Sequence, residues 1–489
     1  MVNQTKLKHK IKPAIIYSSL SFLILFGWAV GSPPGSSPDE DLHLSSAWCH
    51  AKYQDGNCET IPQRLVEVGK CYFLDSQTTS VCEESIAQIE VAPERIYGDK
   101  RYYHFLSNFI SLSSIDRSTI QLRVVNSILS SIAIFLIIVL TTRSIYLPIL
   151  ISWLTVNIPL GFFILSSVNP SSWLYIFAFI FFPFVYKLFQ QKDSSTLISS
   201  KILILIATLI LALEGRSDTL MFASIFAVSF LPVIFSLTIK NEKHKIFVNI
   251  FTLVMAGPLA IAVWNRSNLV NFRESKIGEW EILTSLPSII TGVFGGWGLG
   301  SLETTMPSIT FIGSFVTILV ILFMSLRFIN KSESITYILL IFFAFLIPFF
   351  VLVRSNLRVG EWVQPRYILP IFYALIGLCL IVIFRSFKTK PLLLVTNFLF
   401  VISTISFSFA LHTFYRRYTV GLDNYSLIFR EPDSWWWKFE AFPSPVLTYF
   451  VTVIVFIVFW LKIIKDILSE SKLLSPKDSE HSRNQSPSF

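Results

Sequence analysis

Charged residues are scarce in this chain, and none of its segments has the pattern of a nucleotide-binding loop. Of the 489 residues, 15% are charged and 53% are hydrophobic, with a mean hydropathy of +0.61. The glycine-rich stretch 295–307, GGWGLGSLETTMP, follows no predicted strand and opens no soluble crossover unit, so it is not a dinucleotide fingerprint. These absences exclude a soluble globular enzyme and argue against a soluble nucleotide sugar as substrate.

Long apolar runs dominate what is present. About twelve of them are near the ~20 residues that a helix needs to cross a bilayer. We therefore expect an all-α integral membrane protein with about twelve transmembrane helices, and 286–300 could form a re-entrant piece. The predicted spans are 13–31, 122–141, 146–167, 171–189, 197–213, 219–239, 246–264, 308–326, 335–353, 366–384, 390–411 and 444–463.

The predicted domain organisation follows from these spans. A basic tail, 1–12, precedes a polytopic membrane domain, 13–463, and a polar tail, 464–489, follows it. The first run resembles a signal peptide without a cleavage site, which favours a retained signal anchor. Lys and Arg collect in the connectors on the side of the N-terminus, so both termini are predicted to be cytoplasmic in a plasma (inner) membrane. The net charge of +9 therefore reflects membrane orientation, and no nucleic-acid partner is expected.

The loop 32–120 after the first span is the one sizeable soluble element, and it is predicted to be mixed and partly helical. Four of the five cysteines lie in it, namely Cys49, Cys58, Cys71 and Cys82. Four cysteines in an exported loop predict two disulfides, with three pairings open. A zinc site is the alternative, although the spacing contains no C-x-x-C pair.

The motif Pro38-Asp-Glu-Asp-Leu-His43 stands where the chain leaves the first span. Ser37 as a cap and Pro38 in the first helical position predict a helix start, with acids at its positive end. On such a helix Asp39 and Glu40 share a face with His43. The acids could act in a site or could merely cap a short helix, which is the role expected for Asp41.

Charged and glycine-rich clusters also occupy the later outer loops. Three charges crowd the turn Glu214–Asp218, where Glu214 and Arg216 could simply pair with each other. Arginines, whose planar fork suits phosphate or carboxylate, follow the ninth span, although snorkelling at the interface is an alternative. The residues concerned are Arg354, Arg358, Arg366 and Tyr367 in that loop, and Trp297 and Glu303 in the glycine-rich stretch.

All of these clusters are predicted on the outer side of the membrane. Arginines could hold the phosphate of a lipid leaving group while a carboxylate activates a hydroxyl acceptor. Such an arrangement suits transfer of a group from a lipid-linked phosphate donor.

Five of these motifs carry a resemblance. PDEDLH (38–43), NPS (169–171), the Arg216 hairpin, GWGLGSLETTMP (296–307) and QPRYILP (364–370) stand in the order found in the domain of unknown function 2142 family. That family is similar to the membrane glycosyltransferases of the C-type (GT-C) fold. The resemblance implies sugar transfer from a polyprenyl-phosphate donor to an envelope glycan, lipid or protein acceptor on the extracytoplasmic face, usually with inversion of the anomeric centre.

The resemblance also implies roles for individual residues. Asp39 would be the catalytic base or acceptor-orienting acid, with Glu40 its partner. Arg366 would lead in binding the donor phosphate. Arg358, Arg354, Arg216 and Tyr367 would assist it, and the substrate would meet His43, Glu214, Trp297 and Glu303.

Two departures from the family pattern and two open questions accompany this interpretation. Pro365 stands where the family usually has Gly, and Glu303 stands where it has Asp. No cofactor is firmly implied, but a divalent ion, Mg²⁺ or Mn²⁺, held by Asp39, Glu40 and His43 is left open. The rival functions are a lipid-linked glycan polymerase and a transporter or flippase for a lipid-linked saccharide.

Overall fold

The computed structural model is built almost entirely of helices. It describes residues 4–53, 58–67, 72, 75–80, 88–90, 101–190, 195–238, 277–296, 298–299, 304–360, 363–423, 427, 436–437 and 443–474. The helices described are α1 Gln4–Val30, α2 Glu40–Lys52, α3 Gln63–Glu67, α4 Arg101–Ser107, α5 Ile115–Leu140, α6 Arg143–Val156, α7 Leu160–Leu165, α8 Ser171–Gln190, α9 Ser195–Gly215, α10 Thr219–Thr238, α11 Glu279–Ser285, α12 Pro287–Val293, α13 Ser308–Leu326, α14 Lys331–Ser355, α15 Leu369–Ser386, α16 Thr389–Thr419 and α17 Pro445–Leu474.

Ten helices in the described part of the chain are long and apolar enough to cross a membrane. Each coincides with one of the predicted spans, and the prediction of an all-α membrane protein is confirmed. The predicted span 246–264 lies outside the described residues. The predicted re-entrant piece contains α12 and the turn that follows it.

The predicted span 146–167 is a broken helix. Helix α6 ends at Val156 and α7 begins at Leu160, since Pro159 has no N–H for a helical hydrogen bond. Asn157 satisfies the break, because its Nδ2 donates to the Trp153 carbonyl at 2.7 Å and its Oδ1 accepts from Tyr373 Oη at 2.5 Å. The apolar run 146–167 is therefore long enough for a span but does not form one continuous helix.

Helix α1 packs between α5 and α17. Its Gly27 permits close approach to α17, because a Cβ there would lie 2.0 Å from Thr452 Oγ1. Near the other end of α1, Lys10 Nζ donates to the Thr141 carbonyl at 2.6 Å. The two contacts hold both ends of α1. The chain then continues from the C-terminal end of α1 into the acidic motif 38–43.

The loop after α1 is mixed and partly helical, as predicted. It contains α2, α3, α4 and a two-stranded antiparallel sheet of β1, Thr60–Pro62, and β2, Gln88–Glu90, in which Ile61 lies opposite Ile89. Arg417 at the end of α16 is fully buried and donates to loop carbonyls. These are the carbonyls of Tyr72 at 2.6 Å, Asp75 at 2.8 Å and Thr78 at 2.9 Å. A buried guanidinium thus fastens the loop to one end of the bundle.

We call this end, where α1 and α16 finish and α8 starts, the Asp39 end. At the opposite end of the bundle, the acids Asp466 and Glu333 bind partners at that same end. There Asp466 accepts from Tyr17 Oη at 2.7 Å and from Lys462 Nζ at 2.5 Å. Glu333 binds Arg385 and caps α14 together with Asn330.

Candidate active site at the Asp39 end

The acidic motif does not start its helix as predicted. Helix α2 begins at Glu40, and Asp39 is its N-cap residue in the left-handed conformation, with φ 60° and ψ 15°. The Asp39 side chain makes no capping hydrogen bond, and the Ser37 hydroxyl has no partner among the described residues. The prediction that Ser37 caps the helix was therefore wrong, and Asp39 faces away from the helix that it precedes.

Glu40 is fully buried, and both of its carboxylate oxygens accept hydrogen bonds. Its Oε1 accepts from Arg123 Nε at 2.9 Å and from the Val168 N–H at 2.9 Å. Its Oε2 accepts from Arg123 Nη2 at 2.5 Å and from the Gly35 N–H at 3.1 Å. A carboxylate with four such donors and no exposed surface cannot approach an acceptor, so Glu40 organises the loop around it.

Arg123, the partner of Glu40, was missed in the sequence. Its guanidinium also donates to the carbonyls of Ala29 and Ser32 at 2.7 Å and of Pro33 at 2.8 Å. It thereby joins the end of α1 to α5. One signal could have found it, because Arg123 is the single charged residue in the predicted span 122–141, and such residues usually pair with an acid.

Asp39 and Arg366 meet directly. Arg366 Nη2 donates to Asp39 Oδ2 at 2.7 Å, and the arginine side chain is 5% exposed while that of the aspartate is 44% exposed. Arg366 lies in a short 3₁₀ turn, Pro365–Tyr367, just before α15. Its Nε and Nη1 are buried and have no hydrogen-bond partner among the described residues. A buried guanidinium with unused donors is a binding site for an anion with several oxygens.

The Tyr367 ring is in contact with two guanidinium groups. Arg216 is 4.7 Å from the centre of its ring and Arg366 is 5.4 Å from it. Arg216 is itself fixed, because Nε and Nη2 bind the Asp218 carboxylate at 2.8 and 2.6 Å and Nη1 binds Ser171 Oγ at 2.7 Å. Burial lowers the pKa of Arg216, but attraction and hydrogen bonds from Asp218 outweigh this and raise the pKa above its ordinary value. Arg216 is therefore a charged support for Tyr367 with few donors left for a ligand.

The NPS motif joins the same cluster. Asn169 Nδ2 donates to the Pro38 carbonyl at 2.8 Å, and its Oδ1 accepts from the Ser171 N–H at 2.9 Å. Tyr175, one turn into α8, donates its hydroxyl to the Arg366 carbonyl at 2.7 Å. Four of the five sequence motifs thus meet around Asp39 and Arg366.

The three proposed metal ligands do not converge. His43 Nδ1 lies 2.8 Å from the Tyr103 hydroxyl, and both Glu40 oxygens are taken by Arg123 and backbone N–H groups. Within the described ranges, no group of three or more His, Cys, Asp or Glu side chains could hold a metal ion. The residues present do not fit a divalent ion, and no step below depends on one.

Other predicted substrate residues make separate contacts. Glu214 pairs with Arg101 at 3.2 Å and not with Arg216, the partner left open as an alternative. Arg358 pairs with Glu281 at 2.8 Å, with both side chains more than half exposed. Such surface pairs are worth about 1 kcal/mol or less. Arg354 is exposed at the end of α14.

The glycine-rich motif is described only in part. Trp297 and Glu303 lie outside the described residues. On either side of them, the Leu299 N–H donates to the Thr304 carbonyl at 2.8 Å, and the Met306 N–H donates to the Gly295 carbonyl at 3.2 Å. Gly295 has φ 88°, a conformation that glycine adopts without strain.

One disulfide is present in the described residues. Cys49 at the end of α2 is bonded to Cys58 just before β1, with Cα atoms 5.4 Å apart. The alternative prediction, a zinc site, is therefore wrong for these two cysteines. Cys71 and Cys82 lie outside the described residues.

An apolar groove runs from this cluster between α10 and α14. The space in it that water-sized groups can enter is about 40 Å³. Asp218 and Tyr367 lie among its lining residues, together with Met221, Ile225, Ile347 and Val351. This apolar lining borders the Asp39 end.

The helical fold, with ten described helices long and apolar enough to cross a bilayer, defines a multi-pass membrane protein. Its residues 22–375 match a family model described as "Predicted membrane protein (DUF2142)". The chain belongs to this family. Comparison of the chain with curated proteins and with solved structures found no match.

Proposed function

We propose that the chain is a membrane glycosyltransferase that moves a sugar from a polyprenyl-phosphate donor to an envelope glycan, lipid or protein acceptor. One observation carries the proposal. Asp39 and Arg366 are 327 positions apart in sequence and 2.7 Å from each other, and two Arg366 nitrogens have no partner in the part of the chain that the structure describes. A carboxylate and a phosphate-binding guanidinium at one membrane boundary are what transfer from a lipid phosphate requires.

The proposed reaction is a single displacement at the anomeric carbon. The acceptor hydroxyl oxygen attacks that carbon, and Asp39 takes the hydroxyl proton. The bond from the anomeric carbon to the phosphate oxygen breaks, and its electron pair stays with the polyprenyl phosphate. Arg366 stabilises the charge that develops on this leaving group.

Arg216 and Glu40 have supporting roles in this proposal. Arg216 lies against the Tyr367 ring, and Arg366 lies against the same ring. Glu40 and Arg123 hold the backbone from which Asp39 projects. A reacting pair needs such fixed neighbours, because a displacement of about 1 Å can cost two orders of magnitude in rate.

The groove between α10 and α14 supports a lipid donor. Its lining is mostly apolar and includes Tyr367, the neighbour of the arginine that would hold the phosphate. We propose that the Asp39 end lies outside the cytoplasm and both termini inside, in the plasma (inner) membrane, which is the orientation that the distribution of Lys and Arg between the connectors favours.

Lipid extracts from a strain that lacks the gene test this function. We expect a polyprenyl-monophosphate-linked sugar to accumulate, measured by mass spectrometry, and to return to its normal level when the wild-type gene is restored. Accumulation of diphosphate-linked oligosaccharide repeats instead would indicate the polymerase. No change in either class of lipid would contradict the proposal.

A further inference from the structure

The contact between Asp39 and Arg366 is incompatible with a bound substrate. In the proposed displacement the anomeric carbon stands between the attacking hydroxyl, held by Asp39, and the phosphate, held by Arg366. The carboxylate and guanidinium are 2.7 Å apart, which leaves no room for a sugar between them. The pair must therefore separate before the reaction.

Asp39 is the partner that is free to move. Its side chain is 44% exposed and caps no helix, and its backbone is in the left-handed region that non-glycine residues enter at a cost. Its neighbour Glu40 is fixed by Arg123, so the motion is confined to Asp39 itself.

Arg366 is poorly satisfied by its present partner. The Asp39 carboxylate takes a hydrogen bond from Nη2, while buried Nε and Nη1 take no partner among the described residues. A phosphate presents three oxygens and can accept from two of these nitrogens at once, as the arginine fork allows. The phosphate is therefore the better partner for this guanidinium.

We infer that Asp39 occupies the donor-phosphate site when no ligand is bound, and that the donor phosphate displaces it. The carboxylate is then released towards the acceptor only after the donor has bound. This inference rests on the proposed function. It adds that Asp39 opposes donor binding, whereas a residue that helped to bind the donor would favour it.

Binding of farnesyl phosphate to the purified full-length chain in detergent tests the inference. Loss of the competing carboxylate in Asp39→Asn should tighten binding about threefold to tenfold, as expected for a half-exposed ion pair. Asp41→Asn, which removes the same charge two residues away, should bind as the wild type does. Farnesol should bind Asp39→Asn and wild type equally, and inorganic phosphate should reproduce the gain if the headgroup alone displaces Asp39.

The outcomes separate this inference from the proposed function. If Arg366→Ala weakens binding of farnesyl phosphate but Asp39→Asn leaves it unchanged or weaker, the phosphate site stands and the competition is refuted. If Arg366→Ala binds as the wild type does, the phosphate site itself is wrong and the inference fails with it. Asn and Gly both tolerate the left-handed conformation, so Asp39→Gly provides a second folded variant with the same expected gain.

Discussion

Arg123 binds Glu40 through two nitrogens, Nε at 2.9 Å and Nη2 at 2.5 Å, and neither side chain is more than 1% exposed. The adjacent acid, Asp39, faces the other way and meets Arg366 while half exposed. Two neighbouring carboxylates in one motif therefore have different physical roles. One holds the loop in place, and the other is accessible to a substrate.

Removing either member of the buried pair should destabilise the protein. Glu40→Gln leaves the Arg123 charge buried without its counterion, which costs about 3–5 kcal/mol. We expect a clear fall in the midpoint of thermal unfolding in detergent and in the amount of protein in the membrane. The double variant Glu40→Gln with Arg123→Met should recover part of this loss, because no unpaired charge remains.

Asp39→Asn is the matched control for that experiment. It should cost less than Glu40→Gln, about 1–3 kcal/mol, because Arg366 loses its counterion but Asp39 is 44% exposed and accepts a single hydrogen bond from it. Equal destabilisation by Asp39→Asn and Glu40→Gln would contradict the division of roles.

The ring of Tyr367, more than its hydroxyl, should matter for activity. Tyr367→Phe preserves the face on which Arg216 and Arg366 lie, whereas Tyr367→Leu removes it and forfeits about 1–2 kcal/mol of cation–π attraction. Measured as complementation of the glycan defect, Phe should retain most function and Leu should lose most of it. Loss of function in Tyr367→Phe would show that the hydroxyl is essential.

The apolar groove can be blocked without changing any charged residue. Ile347 lies in the groove and is 8% exposed, so Ile347→Trp should fill the space proposed for the isoprenoid chain. We expect weaker binding of farnesyl phosphate per folded molecule, with some loss of folded protein because Trp overpacks this buried position. Ile338→Trp on the same helix is the control, because Ile338 is 62% exposed. Similar losses in both variants would refute the groove as the chain site.

The Cys49–Cys58 bond should stabilise the helix that Asp39 precedes. The two cysteines are nine residues apart, and closing a loop of that size contributes about 2–3 kcal/mol in the chain-entropy model. Peptide mapping without reductant should recover the Cys49 and Cys58 peptides joined together. A link from Cys49 to Cys71 or Cys82 would contradict the fold of this loop.

Much of the fold follows from the sequence because hydrocarbon allows few structures. In a bilayer every backbone polar group must be satisfied within the helix, so length and hydropathy suffice to find the spans. The exception at 146–167 depends on Pro159 and on a long-range hydrogen bond from Tyr373 to Asn157. Hydropathy carries no information about such a contact.

The sequence predicted which residues form the site, but it did not predict which residues pair with them. Motif order singled out Asp39, Arg366, Arg216 and Tyr367, and the structure brings all four together. The sequence could not distinguish Glu40 from Asp39, because the difference comes from Arg123, 83 positions away from Glu40. It left open a pair between Glu214 and Arg216, whereas Arg216 pairs with its near neighbour Asp218 and tertiary packing brings Glu214 to Arg101.

Complementation of a deletion strain by Asp39→Asn tests the central claim most directly. The readout is the envelope glycan profile at equal membrane levels of each variant, with Asp41→Asn as the control. The account predicts that wild type and Asp41→Asn restore the glycan, whereas Asp39→Asn and Arg366→Ala restore none of it. Full restoration by Asp39→Asn would contradict a catalytic role for this carboxylate.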